Sequence, residues 1–585
     1  MWCGGLTYEQ GSMRHKPSHI RPNAGLTRGM RADAFLTGRL VCLALLSLAL
    51  AGCAQIGQRR SAAPGDSAIV SAPVGAVEGR REGQLNVFKG IPYALAPTGA
   101  ARWTPPRATA DWTGVRQATE FGPACVQLQR APTSVYAYDV GPMSEDCLSL
   151  NIWAPAGARN APVLVWIHGG SLTSGSSNEP MYDGARLAER GVIVVSINYR
   201  LGVLGYFAHA ELSAESREGV SGNYGLLDQI EALRWVQRNI GAFGGDSRNV
   251  TIAGESAGAL SVVYLMAAPP ARGLFAKAIV QSANMMMIPE LQTARSGVVS
   301  AEESGAALAA SLQAGSVADL RAIEARALIA AATSAGFAPR PTVDGHVLTR
   351  QLVETFELGE QARVPLLVGF TSGESRTFPA LVPRPAESVA AYESAIRERY
   401  GDLAEDFLNR YPAADMPASL LAATRDGIAG WASERLAINQ TAYGAPAFLY
   451  YFDHSYPAAD AAGLHAFHAS ELPFVFGALQ SFPVNWPPVP NEPQQRRLSD
   501  SMIGYWTSFA RDGRPRAAGA PDWPAYGRDR AYMLFDGVPQ ASAHLMPGMY
   551  EHVEEIVCRL RRTDQAWSWR FGLNAPVLPA RPAGC

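Results

Sequence analysis

The chain has 585 residues, 48% of them hydrophobic and 17% charged. That is enough apolar material for a large core and too much for an unfolded chain. Fifty Lys and Arg against 52 Asp and Glu leave a formal net charge of -2, so no basic footprint exists and nucleic-acid binding is not expected.

Leu40 to Ala51 (LVCLALLSLALA) is a twelve-residue apolar run. A bilayer crossing needs about 20 residues, so this run is too short to span. Arg28, Arg31 and Arg39 precede it and small residues end it, the pattern of a secretory signal. Its exit, Leu50-Ala51-Gly52-Cys53, resembles the bacterial lipoprotein signal. That resemblance implies cleavage before Cys53 and lipidation of this cysteine; an ordinary cleaved signal is the alternative. A start at Met30 gives a signal of normal length, which makes residues 1–29 surplus. Residues 1–52 form the expected signal segment, and the small, polar stretch 53–67 a flexible tether. The product is expected to be exported, either held on a membrane by its lipid or free in a periplasmic or extracellular space.

Seven cysteines are present. Cys3 and Cys42 leave with the signal and Cys53 takes the lipid. The other four suit a disulfide-permissive compartment. Cys125 and Cys147 are one candidate pair. Cys558 and Cys585 are a second, with free thiols as the alternative. No CxxC occurs, so a zinc site is not expected.

Length alone suggests three or four domains of about 150 residues, yet no linker divides the chain. From about residue 85 to 555, short β-rich runs alternate with longer amphipathic stretches. Val163–Ile167, Val192–Ile197, Asn249–Ala253, Ala278–Gln281, Val364–Gly369 and Ala447–Phe452 read as strands. Residues 223–240 place Leu226, Leu227, Ile230, Leu233, Val236 and Ile240 on one helical face. The Ala-rich region 289–345 reads as helical, and 482–495 as an irregular loop. Strand-then-helix alternation predicts an α/β fold, a large mostly parallel sheet covered on both faces. We expect one catalytic domain over 68–572 and a C-terminal tail over 573–585.

The segment Gly254-Glu255-Ser256-Ala257-Gly258 fits G-x-S-x-G, between a strand and a helix. A tight turn there holds the serine oxygen exposed, and the helix start aims N–H groups at it. A serine nucleophile needs a base. In chain order the acid comes next and the histidine last. Five histidines, 454, 465, 468, 544 and 552, lie downstream. His468 opens a loop into an apolar helix start, with His465 as its rival on position alone. Glu374 follows an apolar strand, where a sheet presents reactive groups; a surface turn is the other reading of it. Gly169 and Gly170, after the strand Val163–Ile167 and His168, can offer N–H groups to an oxyanion together with Ala257. A plain turn is again the alternative.

Several long motifs appear in order: Phe88-Lys-Gly-Ile-Pro-Tyr-Ala94, Arg102-Trp103, Glu145-Asp-Cys147-Leu-Ser-Leu-Asn151, Asn198-Tyr-Arg200-Leu-Gly-Val-Leu-Gly205, residues 222–229, Phe243-Gly-Gly-Asp246, Gly254–Gly258, Tyr505-Trp506 and Trp523-Pro524. Taken together the chain resembles the type-B carboxylesterase family of α/β hydrolases, from about Gly75 to about Tyr550. The resemblance implies the α/β-hydrolase fold and Ser256, Glu374 and His468 as the triad. It favours His468 over His465 because the family histidine opens H-x-x-E, here ending at Glu471. It implies the Cys125–Cys147 bridge, maps the oxyanion donors to Gly170, Ser171 and Ala257, and suggests that Ser282 hydrogen-bonds the acid. Glu255 is expected beside the triad without joining it.

One departure concerns the oxyanion segment. Relatives usually read H-G-G-[GA]-F, and here it is His168-Gly-Gly-Ser171-Leu172. Ser171 keeps the N–H donor but narrows the site, and Leu172 replaces an aromatic that lines the pocket. Met285, Met286 and Met287 either line an acyl pocket or are ordinary core. Glu145 and Arg200 are expected to pair structurally, and His346 to sit in a loop outside the chemistry.

The expected reaction is hydrolysis of a small-molecule ester through an acyl-enzyme, with no metal and no cofactor. Amide, carbamate or thioester cleavage by the same triad is the alternative. A non-catalytic binding role would require an incomplete triad.

Overall fold

The computed structural model describes residues 67–585. The expected signal, Cys53 and the tether up to residue 66 lie outside the described residues.

Among the described residues fifteen strands follow one another. The first group is β1 Ser67–Ala72, β2 Gly75–Glu82, β3 Leu85–Pro92, β4 Val115–Gln117, β5 Ala124–Cys125, β6 Met143–Ser144 and β7 Ser149–Pro155. The second is β8 Ala161–Ile167, β9 Ile193–Ile197, β10 Gly245–Glu255, β11 Lys277–Gln281, β12 Leu366–Thr371, β13 Ala447–Phe452, β14 Ala531–Asp536 and β15 Val538–Ala543. One 13-stranded sheet runs in the order β1-β2-β3-β7-β9-β8-β10-β11-β12-β13-β14-β15, with β4 beside β2. From β9 through β14 every neighbour is parallel, whereas β1, β2, β3, β7 and β15 pair antiparallel at the flanks. The large, mostly parallel sheet expected from the alternation is therefore present.

Its central strands are apolar throughout because both faces are covered. In β8 successive side chains enter different cores. Val163, Val165 and Ile167 pack with Ile230 and Leu233 of the helix Tyr224–Asn239 and with Val262 of the helix Ala257–Ala267. Leu164 and Trp166 pack on the opposite side with Leu498, Met502 and Trp506 of the helix Pro493–Asp512. The Ala-rich region forms three helices, Ala301–Ser311, Val317–Ala322 and Ala325–Ser334, which share a third cluster with Trp103 and Phe207.

The sulfur atoms of Cys125 and Cys147 are bonded, as are those of Cys558 and Cys585. Leu578 N–H also donates to the Arg399 carbonyl at 2.7 Å, and Arg581 Nε stands 3.1 Å from Glu555 Oε1, so residues 573–585 are fastened to the domain at several points. Among the described residues no helix is long and apolar enough to cross a membrane.

The expected Glu145–Arg200 pair does not form. Glu145 is held by Arg102, with Nε–Oε2 and Nη2–Oε1 both 2.7 Å. Arg200 instead grips Asp228, with Nε–Oδ2 at 2.8 Å and Nη2–Oδ1 at 2.7 Å. The helix Tyr224–Asn239 passes behind the turn after β9 and brings Asp228 there, fully buried.

Candidate active site

Strand β10 ends at Glu255 and the next helix begins at Ala257, leaving Ser256 alone on the turn, at φ 56° and ψ -124°. A non-glycine residue with positive φ is strained and persists only where its surroundings over-determine it. Two things hold Ser256 there. Its N–H donates to the Gln281 carbonyl at 2.9 Å. The flanking glycines admit no side chain: a Cβ on Gly258 would stand 2.0 Å from the Ile167 oxygen, and one on Gly254 2.5 Å from the Gly258 carbonyl carbon.

Glu374 lies three residues past β12 and is buried rather than on a surface turn. Oε2 accepts from His468 Nδ1. Oε1 accepts from the Ser282 hydroxyl at 2.5 Å and the Thr371 N–H at 2.8 Å. Burial alone would raise its pKa, but His468 and these donors hold it below the usual carboxylate value. The loops carrying acid and histidine are joined directly: Gly373 and Phe467 form a parallel bridge, with Gly373 N–H on the Ala466 carbonyl at 2.8 Å. His465 is elsewhere, half-exposed, with Nδ1 2.6 Å from Asp460 Oδ1.

His468 Nε2 stands 3.0 Å from Glu255 Oε1. The approach falls outside hydrogen-bond geometry, since Glu255 Oε1 has no hydrogen-bond partner, and Glu255 acts on the ring chiefly through its charge. Burial disfavours the imidazolium, yet Glu255 and Glu374 outweigh it and hold the His468 pKa well above the ordinary value. Among the described residues no hydrogen bond joins the Ser256 hydroxyl to His468. Such bonds commonly tighten only when substrate arrives. The two residues nonetheless line the same two cavities.

A base must be neutral to accept a proton, so a raised histidine pKa moves the acid limb of kcat/KM to higher pH. Glu255→Gln removes one of the two supporting charges. The limb is expected to fall by about 1 pH unit, measured as kcat/KM against pH on a neutral ester. A limb that stays in place would show that Glu255 does not act on the imidazole.

Glu471, three residues beyond His468, is buried as well. Burial and the nearby Glu255 push it up to about 8, and Gln281 donates to its Oε1 at 2.9 Å. Its protonated form is thereby favoured beside the charges already facing the histidine. His168 is buried and lowered to about 4, with Nδ1 2.8 Å from the Gly169 carbonyl oxygen, and serves as packing.

Gly170, Ser171 and Leu172 all have positive φ, 110°, 57° and 59°. Among the described residues the N–H groups of Gly170, Ser171 and Ala257 donate to no protein acceptor, and their residues border Ser256 in the cavities. They are free to bind an oxyanion. Gly169 packs on the nucleophile itself, its Cβ position 3.2 Å from Ser256 Cβ.

Two cavities meet at Ser171, Ser256, Thr377, Phe378 and His468. The larger, about 520 Å³, is walled by apolar groups including Leu172, Leu260, Met286, Ile288 and Leu381. Of the three methionines, Met286 lines it, while Met285 and Met287 are core. The smaller, about 390 Å³, is mixed, and Arg130, Tyr136, Glu179 and Glu255 supply its polar wall. Sequence reasoning missed this wall. Tyr136 donates to the His468 carbonyl at 2.8 Å and bonds the Thr377 hydroxyl at 2.9 Å, and Phe378 sets its ring 5.2 Å from the imidazole. The one signal was the aromatic pair Tyr136 and Tyr138 in the loop between the bridged cysteines. His346 is on an exposed loop. Among the described residues no cluster of side chains could hold a metal ion.

The model of the Carboxylesterase family matches residues 66–551. Fumonisin B1 esterase of Sphingopyxis macrogoltabida is 37% identical over 79% of this chain and 85% of its own length. Para-nitrobenzyl esterase of Bacillus subtilis is 34% identical over 80% of this chain and 94% of its own. A solved carboxylesterase of Geobacillus stearothermophilus superposes with a TM-score of 0.71 at 35% identity, over 83% of this chain and 99% of that one.

Proposed function

The chain belongs to the carboxylesterase family, and from that premise we propose that Ser256, Glu374 and His468 perform its chemistry. The protein is a carboxylic ester hydrolase. The observation that carries the residue assignment is the Glu374–His468 pair beside a strained, half-buried serine at the junction of two cavities.

In this reading His468 takes the Ser256 proton as the oxygen attacks the ester carbonyl. Glu374 orients the ring and stabilises its charged form. The N–H groups of Gly170, Ser171 and Ala257 hold the oxyanion. His468 then protonates the leaving alcohol, and later activates the water that cleaves the acyl-enzyme. Ser282 fixes Glu374, and Glu255 tunes the histidine. Ser171 and Leu172 reshape the wall beside the nucleophile, so neither fumonisin B1 nor a para-nitrobenzyl ester is taken over as the substrate.

Export and a lipid anchor on Cys53 belong to the same proposal. They rest on the Leu50–Cys53 segment and on two disulfides, which suit an oxidising compartment.

A fluorophosphonate probe reacts only with an activated hydroxyl. Peptide mass mapping is expected to find it on Ser256, with labelling lost in His468→Ala. A label on another residue would overturn the assignment.

A further inference from the structure

We propose that the smaller cavity beside Ser256 is an anion subsite, in which Arg130 receives a carboxylate carried by the ester substrate. The proposal rests on the reading of Ser256 as nucleophile. Arg130 lies in the segment closed by the Cys125–Cys147 bridge and is half-buried in the cavity wall with Gly169, Gly170, Ser171 and Ser256. Its Nη2 stands 3.0 Å from where a Cβ on Gly170 would be, so the charged end reaches the oxyanion segment.

The guanidinium is fixed but not neutralised. Nε donates to the Ser174 hydroxyl at 3.2 Å, and the group lies 5.4 Å from the centroid of the Tyr136 ring. Tyr136 is in turn anchored on the His468 carbonyl and Thr377. Among the described residues no carboxylate comes within 4.0 Å of Arg130. A half-buried cation without a partner is costly. A planar fork held in place beside the reacting carbonyl suits bidentate capture of a carboxylate.

Two acids share the cavity, Glu255 and Glu179. Glu255 is engaged with His468. Glu179 is pushed up to about 7 by burial, against the pull of Arg130, so it sheds much of its charge near neutrality. It is also the group that a cationic substrate would seek, and the test separates the two.

The carboxylate could sit on either side of the scissile bond. Two matched pairs of esters cover both sides: nitrophenyl hemisuccinate against its methyl ester, and acetoxybenzoate against its methyl ester. For one pair, wild-type kcat/KM is expected to favour the charged member by about tenfold or more, and that pair identifies the side. In Arg130→Gln the charged-to-neutral ratio is expected to fall by about tenfold, with Arg130→Lys intermediate. A ratio near one for both pairs in the wild type, or an unmoved ratio in Arg130→Gln, overturns the subsite. So does a preference for an ammonium-bearing ester that is lost in Glu179→Gln. Failure to hydrolyse any of these esters would instead sink the reading of Ser256.

Discussion

Ser256→Ala is expected to lower kcat by about 10^5- to 10^6-fold on any ester the wild type cleaves, without unfolding the chain. The nucleophile is lost outright, while the oxyanion donors and both cavities remain. A residual rate of roughly 10^3-fold over water is therefore expected from binding and polarisation alone. The Ser256 hydroxyl makes no hydrogen bond among the described residues, so the fold loses no polar partner. Circular dichroism and the urea midpoint are expected to match the wild type. Residues that act as one unit are not additive, so Ser256→Ala with His468→Ala is expected to be no slower than the worse single variant. Turnover within tenfold of wild type in Ser256→Ala would remove the serine from the mechanism.

The second large effect is on stability. Asp228 receives three hydrogen bonds from Arg200, through its Nε, Nη2 and backbone N–H, and both side chains are buried. Removing one partner of such a pair leaves the other charge uncompensated in the interior. Asp228→Ala is therefore expected to cost about 3–5 kcal/mol, read as a lower urea midpoint at unchanged slope. Replacing both residues with apolar groups of similar volume should recover most of that loss. A cost for Asp228→Ala below about 1 kcal/mol would show that water reaches the guanidinium.

The Arg200 pair also shows where sequence reading stops. Opposite charges in two motifs suggested Glu145, but a partner is chosen by topology, and it is Arg102 that holds Glu145. The available signal was an acid amid apolar residues: Asp228 lies between Leu227 and Ile230 on a helix with little exposed surface. The central strands were legible because strands buried on both faces are continuously apolar, as in β8 and β13. β2 was not, since its sequence GAVEGRRE is polar and half-exposed at the sheet's flank. Ser256 was legible because its turn chemistry is local. Glu374 and His468 needed chain order and the family resemblance, because 94 residues separate them and a bridge between two loops unites them. Arg130, Tyr136 and Glu179 left almost no trace, because a loop's path over a cavity depends on contacts distant in sequence.

The junction of the two cavities has an evolutionary consequence. The apolar wall comes from segments near 260, 286 and 381, and the polar wall from segments near 130 and 179. Drift in one set can alter taste for one half of a molecule while the other half is still accepted. Phe378 belongs to both walls and touches the imidazole, so a change there is felt on both sides at once, and it is less free to wander than residues of either wall alone.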